Sequence, residues 1–96
     1  MNLKERAQVF KALGHPARLA MVDKLAQGER CVCELMRMSQ LSKFSGPTIS
    51  QHLLVLKSAG IIADEKRGKM IFYRLAMPCV SQISLIISKF PNTYAR

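Results

Sequence analysis

The sequence predicts a mainly helical fold with one small β-hairpin. Three observations point to it. Up to Gly60, apolar residues recur at helical spacing, and Gly or Pro punctuates the runs. From Ile61 the pattern changes to period two. After Pro78 a last apolar run returns to helical spacing.

The elements follow in order. Leu3, Ala7, Phe10 and Leu13 define a first helix, and Gly14 stops it. His15-Pro16 opens a second, with Leu19, Val22 or Met21, and Leu25-Ala26 on its buried side and Gly28 as terminator. A short third helix is expected over roughly 33–38. Residues 39–46 are polar and Ser-rich and read as a turn. Pro47 starts a fourth helix that ends at Gly60; Pro suits a first helical turn and Gly the position after the last. Ile61, Ile62 and Ala63 begin one strand and 70–75 form another, with Arg67-Gly68-Lys69 as the hairpin tip. Along the second strand Ile71, Tyr73 and Leu75 alternate with Met70, Phe72 and Arg74. Pro78 opens the last helix, which carries Val80, Ile83, Ile86, Ile87 and Phe90. Helix-turn-helix followed by a basic hairpin is a winged helix-turn-helix. One domain over 1–96 is expected, near the lower size limit for independent folding, so a dimer through the first and last helices would add buried surface.

Composition bounds the partners. The net charge is +9, from 15 Lys and Arg against 6 Asp and Glu. From Leu35 onward Arg37, Lys43, Lys57, Lys66, Arg67, Lys69, Arg74, Lys89 and Arg96 face only Asp64 and Glu65, so the excess lies in the half that holds the hairpin. Such a bias favours a polyanion, and double-stranded DNA above all. No apolar run approaches the roughly 20 residues of a membrane span. The charged start Met1-Asn2-Leu3-Lys4-Glu5-Arg6 is unlike a signal peptide. The expectation is a cytoplasmic protein, in which Cys31, Cys33 and Cys79 are reduced thiols, metal ligands or redox sensors.

At about 100° per residue, Ile49, Leu53 and Leu56 share one face of the fourth helix. Gln51 lies nearly opposite, with Thr48, Val55 and Ser58 nearby and Ser50 at the flank. Gln can pair with adenine through two hydrogen bonds, and hydroxyls serve bases or phosphates. Thr48, Ser50, Gln51, His52 and Lys57 are therefore the expected DNA contacts of a reading helix, and Lys66, Arg67 and Lys69 those of a wing lying along phosphates. His52 sits between the two faces, where packing or a phosphate contact suits it better than a metal.

Cys31 and Cys33 are the candidate sensor. On a regular helix their side chains would diverge by about 200°. They converge only if Cys31 lies in extended residues leading into the helix, whose N-terminus also favours thiolate. Paired thiolates bind soft ions. Enzymatic use of a thiol needs a nearby base, and His15 and His52 both have structural explanations, so no enzyme is expected.

Over nearly its whole length the chain resembles the ArsR/SmtB family of metal-sensing repressors. The resemblance rests on 10–19, 29–35 and 47–62 and on the wing through Tyr73-Arg74-Leu75. Cys31-Val32-Cys33-Glu34-Leu35 is similar to the metalloid box of the arsenic-responsive members. The resemblance implies a homodimer that binds its operator when free and releases it when As(III), Sb(III) or another soft metal ion binds Cys31 and Cys33 as inducer. Two departures stand out. The usual third Cys of the box is replaced by Met36, and the segment before Pro47 is a few residues longer. Cys79, at the start of the last helix, is the remaining possible third ligand. The family's other metal site uses His and carboxylates on the last helix, and 78–96 contain none. Two alternatives stay open: a repressor that senses oxidants or electrophiles through the thiols, and a constitutive DNA-binding module with no inducer.

Overall fold

The computed structural model describes residues 1–38, 41 and 43–92. Helix α1 spans Leu3–Leu13 and is held at its start by a capping box. Asn2 Oδ1 accepts from the Glu5 amide at 2.8 Å, and Glu5 Oε1 accepts from the Asn2 amide at 2.9 Å. Its buried residues are Val9, Ala12 and Leu13. Of the stripe legible in the sequence, Leu13 is buried while Leu3, Ala7 and Phe10 stay exposed and face away from this core. Helix α2 (Pro16–Leu25) follows after His15, whose Nδ1 accepts from the Ala17 amide at 3.0 Å. It buries Ala17, Met21, Val22 and Leu25, while Leu19 is only partly covered and Ala26 is exposed.

The next element departs from expectation. Arg30–Cys31 form a short strand, β1, too brief to show period-two alternation. It pairs antiparallel with the second hairpin strand, and the sheet has three strands rather than two. Helix α3 spans Val32–Met36, beginning before the expected 33. Cys31 is its N-cap residue with extended backbone, φ −76° and ψ 159°. Of the turn at 39–46, Ser39, Gln40 and Ser42 lie outside the described residues. Leu41 is fully buried and Phe44 packs on the core, so this stretch is less polar in effect than in composition.

Helix α4 (Gly46–Ser58) is capped by Ser45, whose Oγ accepts from the Thr48 amide at 3.3 Å. Ile49, Leu53 and Leu56 are its buried residues, on the face the periodicity assigns. Gly60 takes φ 79° after the helix, a conformation that suits glycine. Strands β2 (Ile62–Arg67) and β3 (Met70–Leu75) pair from Ile62↔Leu75 to Arg67↔Met70, in the order β1-β3-β2. Ile61 is fully buried, and its carbonyl accepts from the Ala76 and Met77 amides, closing the base of the hairpin. Helix α5 (Cys79–Ser88) buries Val80 against α2 and leaves Leu85, Ile86 and Ile87 exposed.

The core lies where α1, α2, α3, α4 and the base of the hairpin meet. Leu35, Leu41, Ile49, Leu53, Leu56 and Ile61 are all buried there. Burying such a side chain stabilises the fold by about 1.5–3 kcal/mol. The same contacts fix the angle at which α4 and the hairpin project.

Candidate functional site

The outer face of α4 presents Ser50 and Gln51 to solvent. Thr48 is half-buried, and its hydroxyl lies 3.0 Å from that of Ser45, which also caps the helix. The start of α4 thus presents a polar edge of Ser45, Thr48 and Gln51, in which Ser45 holds Thr48. Lys57, at the far end, is tied to Asp64 of β2 at 3.1 Å. That pair braces α4 against the hairpin and occupies a cation expected to face a phosphate.

His52 is not on the exposed face. Its ring lies 4.4 Å from that of His15, centre to centre, and meets Phe44 edge-on at 5.8 Å. Arg18 Nη1 donates to His52 Nδ1 at 3.2 Å while Arg18 Nε donates to the Ala12 carbonyl. Burial, then the nearby His15 and Arg18, hold the His52 pKa below its ordinary 6.5. This residue joins α2 to α4. Arg18 and Phe44 are the partners that sequence reasoning missed.

The wing divides its cations. Lys66 and Lys69 are exposed. Arg67 is bound: its guanidinium donates to both carboxylate oxygens of Glu29 at 2.7 and 2.8 Å and to Glu65 at 2.9 Å. It also covers the Phe72 ring, 4.7 Å from its centre. Hydrogen bonds to Glu65 and then Glu29 raise the Arg67 pKa, and the bond from Arg67 lowers that of Glu65.

The thiol residues meet as the extended-entry geometry requires. Cys31 and Cys33 are joined by a disulfide with Cα atoms 5.4 Å apart, a normal span for such a bridge. Cys31 is 3% exposed and Cys33 half-buried. Glu34 Oε1 accepts from the Cys31 amide at 3.1 Å, fixing the strand-to-helix junction. Through β1, Cys31 lies opposite Phe72 of the wing. Cys79 is a free, exposed thiol in α5, and Met36 is exposed. Among the described residues, no three His, Cys, Asp or Glu side chains converge into a metal-binding group. In the same residues no helix is long and apolar enough to cross a membrane.

Comparisons with known proteins meet this geometry. The family described as bacterial regulatory protein, arsR family, matches residues 15–64, which run from the start of α2 through α4 into β2. The HTH-type transcriptional repressor SmtB of Mycobacterium tuberculosis is 38% identical over 77% of this chain and 53% of its own length. The arsenical resistance operon repressor of Escherichia coli is 41% identical over 72% of this chain and 57% of its own length. The chain therefore matches little more than half the length of these relatives. A solution structure of a homodimeric winged helix-turn-helix DNA-binding domain from Mycobacterium bovis, a possible ArsR-family regulator, superposes with a TM-score of 0.74. It is 32% identical, covering 90% of this chain and 77% of that one.

Proposed function

The chain belongs to the ArsR family of bacterial regulatory proteins, and from that premise we propose that it is a homodimeric, DNA-binding transcriptional repressor whose grip on its operator is set by the Cys31–Cys33 pair. The disulfide between these residues carries the reading. It favours the thiol pair as an oxidant sensor.

The chemistry balances with hydrogen peroxide as oxidant. The Cys33 thiolate, the more accessible of the two, attacks one peroxide oxygen. The O–O bond breaks, the other oxygen leaves as water, and Cys33 becomes a sulfenic acid. The Cys31 sulfur then attacks the Cys33 sulfur and displaces hydroxide, which takes the remaining thiol proton and leaves as water. Two thiols lose two electrons and two protons, and hydrogen peroxide becomes two waters.

Ring closure fixes the junction between β1 and α3. Helix α3 precedes the reading helix α4, and β1 pairs with the wing strand β3. The bond thus adjoins the wing directly, and α3 shares the core with α4 through Leu35 and Ile49. A coupling of about 1–3 kcal/mol, typical of allosteric proteins, suffices to empty an operator held near its threshold.

A second reading rests on the same sulfurs. Arsenous acid condenses with two thiols to give a dithioarsenite and two waters, and the Escherichia coli relative is named for arsenical resistance. As(III) and Sb(III) suit thiolates. This chain's pair supplies two sulfurs, so hydroxide or an external thiol completes the coordination. Cys79 enters only if the second protomer brings it near.

One titration separates these readings. Reduced protein is bound to a duplex selected from a random pool, then challenged separately with peroxide, As(III), Cu(I), Cd(II) and Zn(II). Release by peroxide that dithiothreitol reverses, lost in Cys31→Ser and in Cys33→Ser, is the expected result. Release by As(III) alone would favour the metalloid reading. Release that persists in the double Ser variant places the sensor elsewhere.

A further inference from the structure

We propose that Glu29 competes with DNA for Arg67, and that this contact links the thiol pair to the wing. The proposal rests on the DNA-binding reading above and identifies a residue that sets its strength.

The geometry forms a closed loop. Glu29 lies two residues before Cys31. Cys31 sits opposite Phe72 across the β1–β3 ladder. The Phe72 ring supports the Arg67 guanidinium at 4.7 Å. Arg67 returns to Glu29 through two parallel hydrogen bonds at 2.7 and 2.8 Å. The last contact spans 38 positions of sequence and joins the residue just before β1 to the end of the first wing strand.

A planar guanidinium that grips a carboxylate through two bonds presents the same fork that grips a phosphate. Glu29 therefore occupies the donors that a DNA phosphate would use. When Arg67 turns to DNA, Glu29 must be left to water and counterions. Each phosphate contact releases counterions from DNA, and a cation already neutralised within the protein returns part of that gain. Glu29 directly precedes β1, and β1 ends in Cys31. Closing or opening the Cys31–Cys33 ring therefore changes how firmly Glu29 holds Arg67. Lys66 and Lys69, both exposed, are outside this control.

The test is a double-mutant cycle read by DNA affinity against salt. Measurements use the full chain and a random-sequence duplex, first in the Cys31→Ser/Cys33→Ser background. Glu29→Gln should tighten binding by about two- to five-fold, the range of an exposed ion pair, and steepen the slope of log K against log salt by up to about one. In an Arg67→Ala background Glu29→Gln should change neither quantity. Equal tightening with and without Arg67 would show a general charge effect and overturn the proposal, as would unchanged or weaker binding. With the cysteines intact, the reduced-to-oxidised ratio of affinities should shrink in Glu29→Gln. An unaltered ratio refutes the link to the thiols. Wild-type protein that binds equally in both redox states refutes the sensor reading and the link with it, yet leaves the Glu29–Arg67 cycle decided by itself.

Discussion

At the residue scale, His52 is held in its neutral form. Its Nδ1 accepts from Arg18, so a second ring proton would break that bond and place a cation between Arg18 and His15. Phe44 adds only an apolar edge on the third side. The folded-state pKa is lowered, mainly by burial and then by His15 and Arg18. The unfolded chain takes up this proton near pH 6.5, and the folded chain only at lower pH. Stability is therefore held above about pH 6.5 and falls as the pH drops through the folded pKa. Thermal melts from pH 7.5 to 5 should show a decline below pH 6.5 that becomes shallower in His52→Gln, whose side-chain oxygen can still accept from Arg18. An identical slope in the variant would remove His52 as the cause. Neither this packing nor the pairing of Arg67 was legible in the sequence. Their partners lie 34 and 38 positions away, whereas periodicity reports only near neighbours. The buried triad Ile49, Leu53 and Leu56 was legible, because helical periodicity over about two turns fixes it.

At the element scale, the proposed DNA-binding role divides recognition between α4 and the wing. The helix carries an uncharged polar edge, on which Gln51 is exposed as both donor and acceptor. Gln51→Ala should cost about 1–3 kcal/mol on the selected duplex and little on random DNA. Equal losses on both, measured by fluorescence anisotropy, would show that Gln51 does not face a base. The wing carries exposed Lys66 and Lys69. Lys69→Ala should weaken both duplexes alike and lower the salt slope by about one. An unchanged slope would place the wing tip off the phosphates. The hairpin was legible from its period-two pattern and the Arg67-Gly68-Lys69 tip, where Gly68 takes φ 63°, although Ile71 is exposed and Phe72 half-buried, so burial along β3 does not alternate as the pattern suggests. Strand β1 was not, since two residues carry no period. Only its pairing with β3 reveals that the thiol pair is continuous with the wing.

At the scale of the whole molecule, the first and last helices leave large apolar side chains exposed. Leu3 is 74% exposed and Phe10 60% on α1; Ile87 is 64% exposed on α5, and Phe90 just beyond it 72%. These are the residues that the helical spacing marked as a stripe, yet they do not belong to this chain's core. Large apolar side chains left exposed in such number on two helices point to an interaction face. A second copy is the proposed occupant, in line with the homodimeric structure from Mycobacterium bovis. A two-fold pair also matches DNA recognition, since two reading helices then address half-sites about one helical turn, roughly 34 Å, apart. Phe10→Glu and Ile87→Glu each place a charge on that face without touching the residues that position α4. Sedimentation at micromolar concentration should give a dimer for the wild type and a monomer for either variant. The dimer's footprint on the selected duplex should cover two half-sites. The monomeric variants should keep their circular dichroism and lose most of their affinity, because each half-site then binds alone and the gain from linking two contacts disappears. A wild-type monomer with a single half-site footprint would assign the exposed helices to another partner.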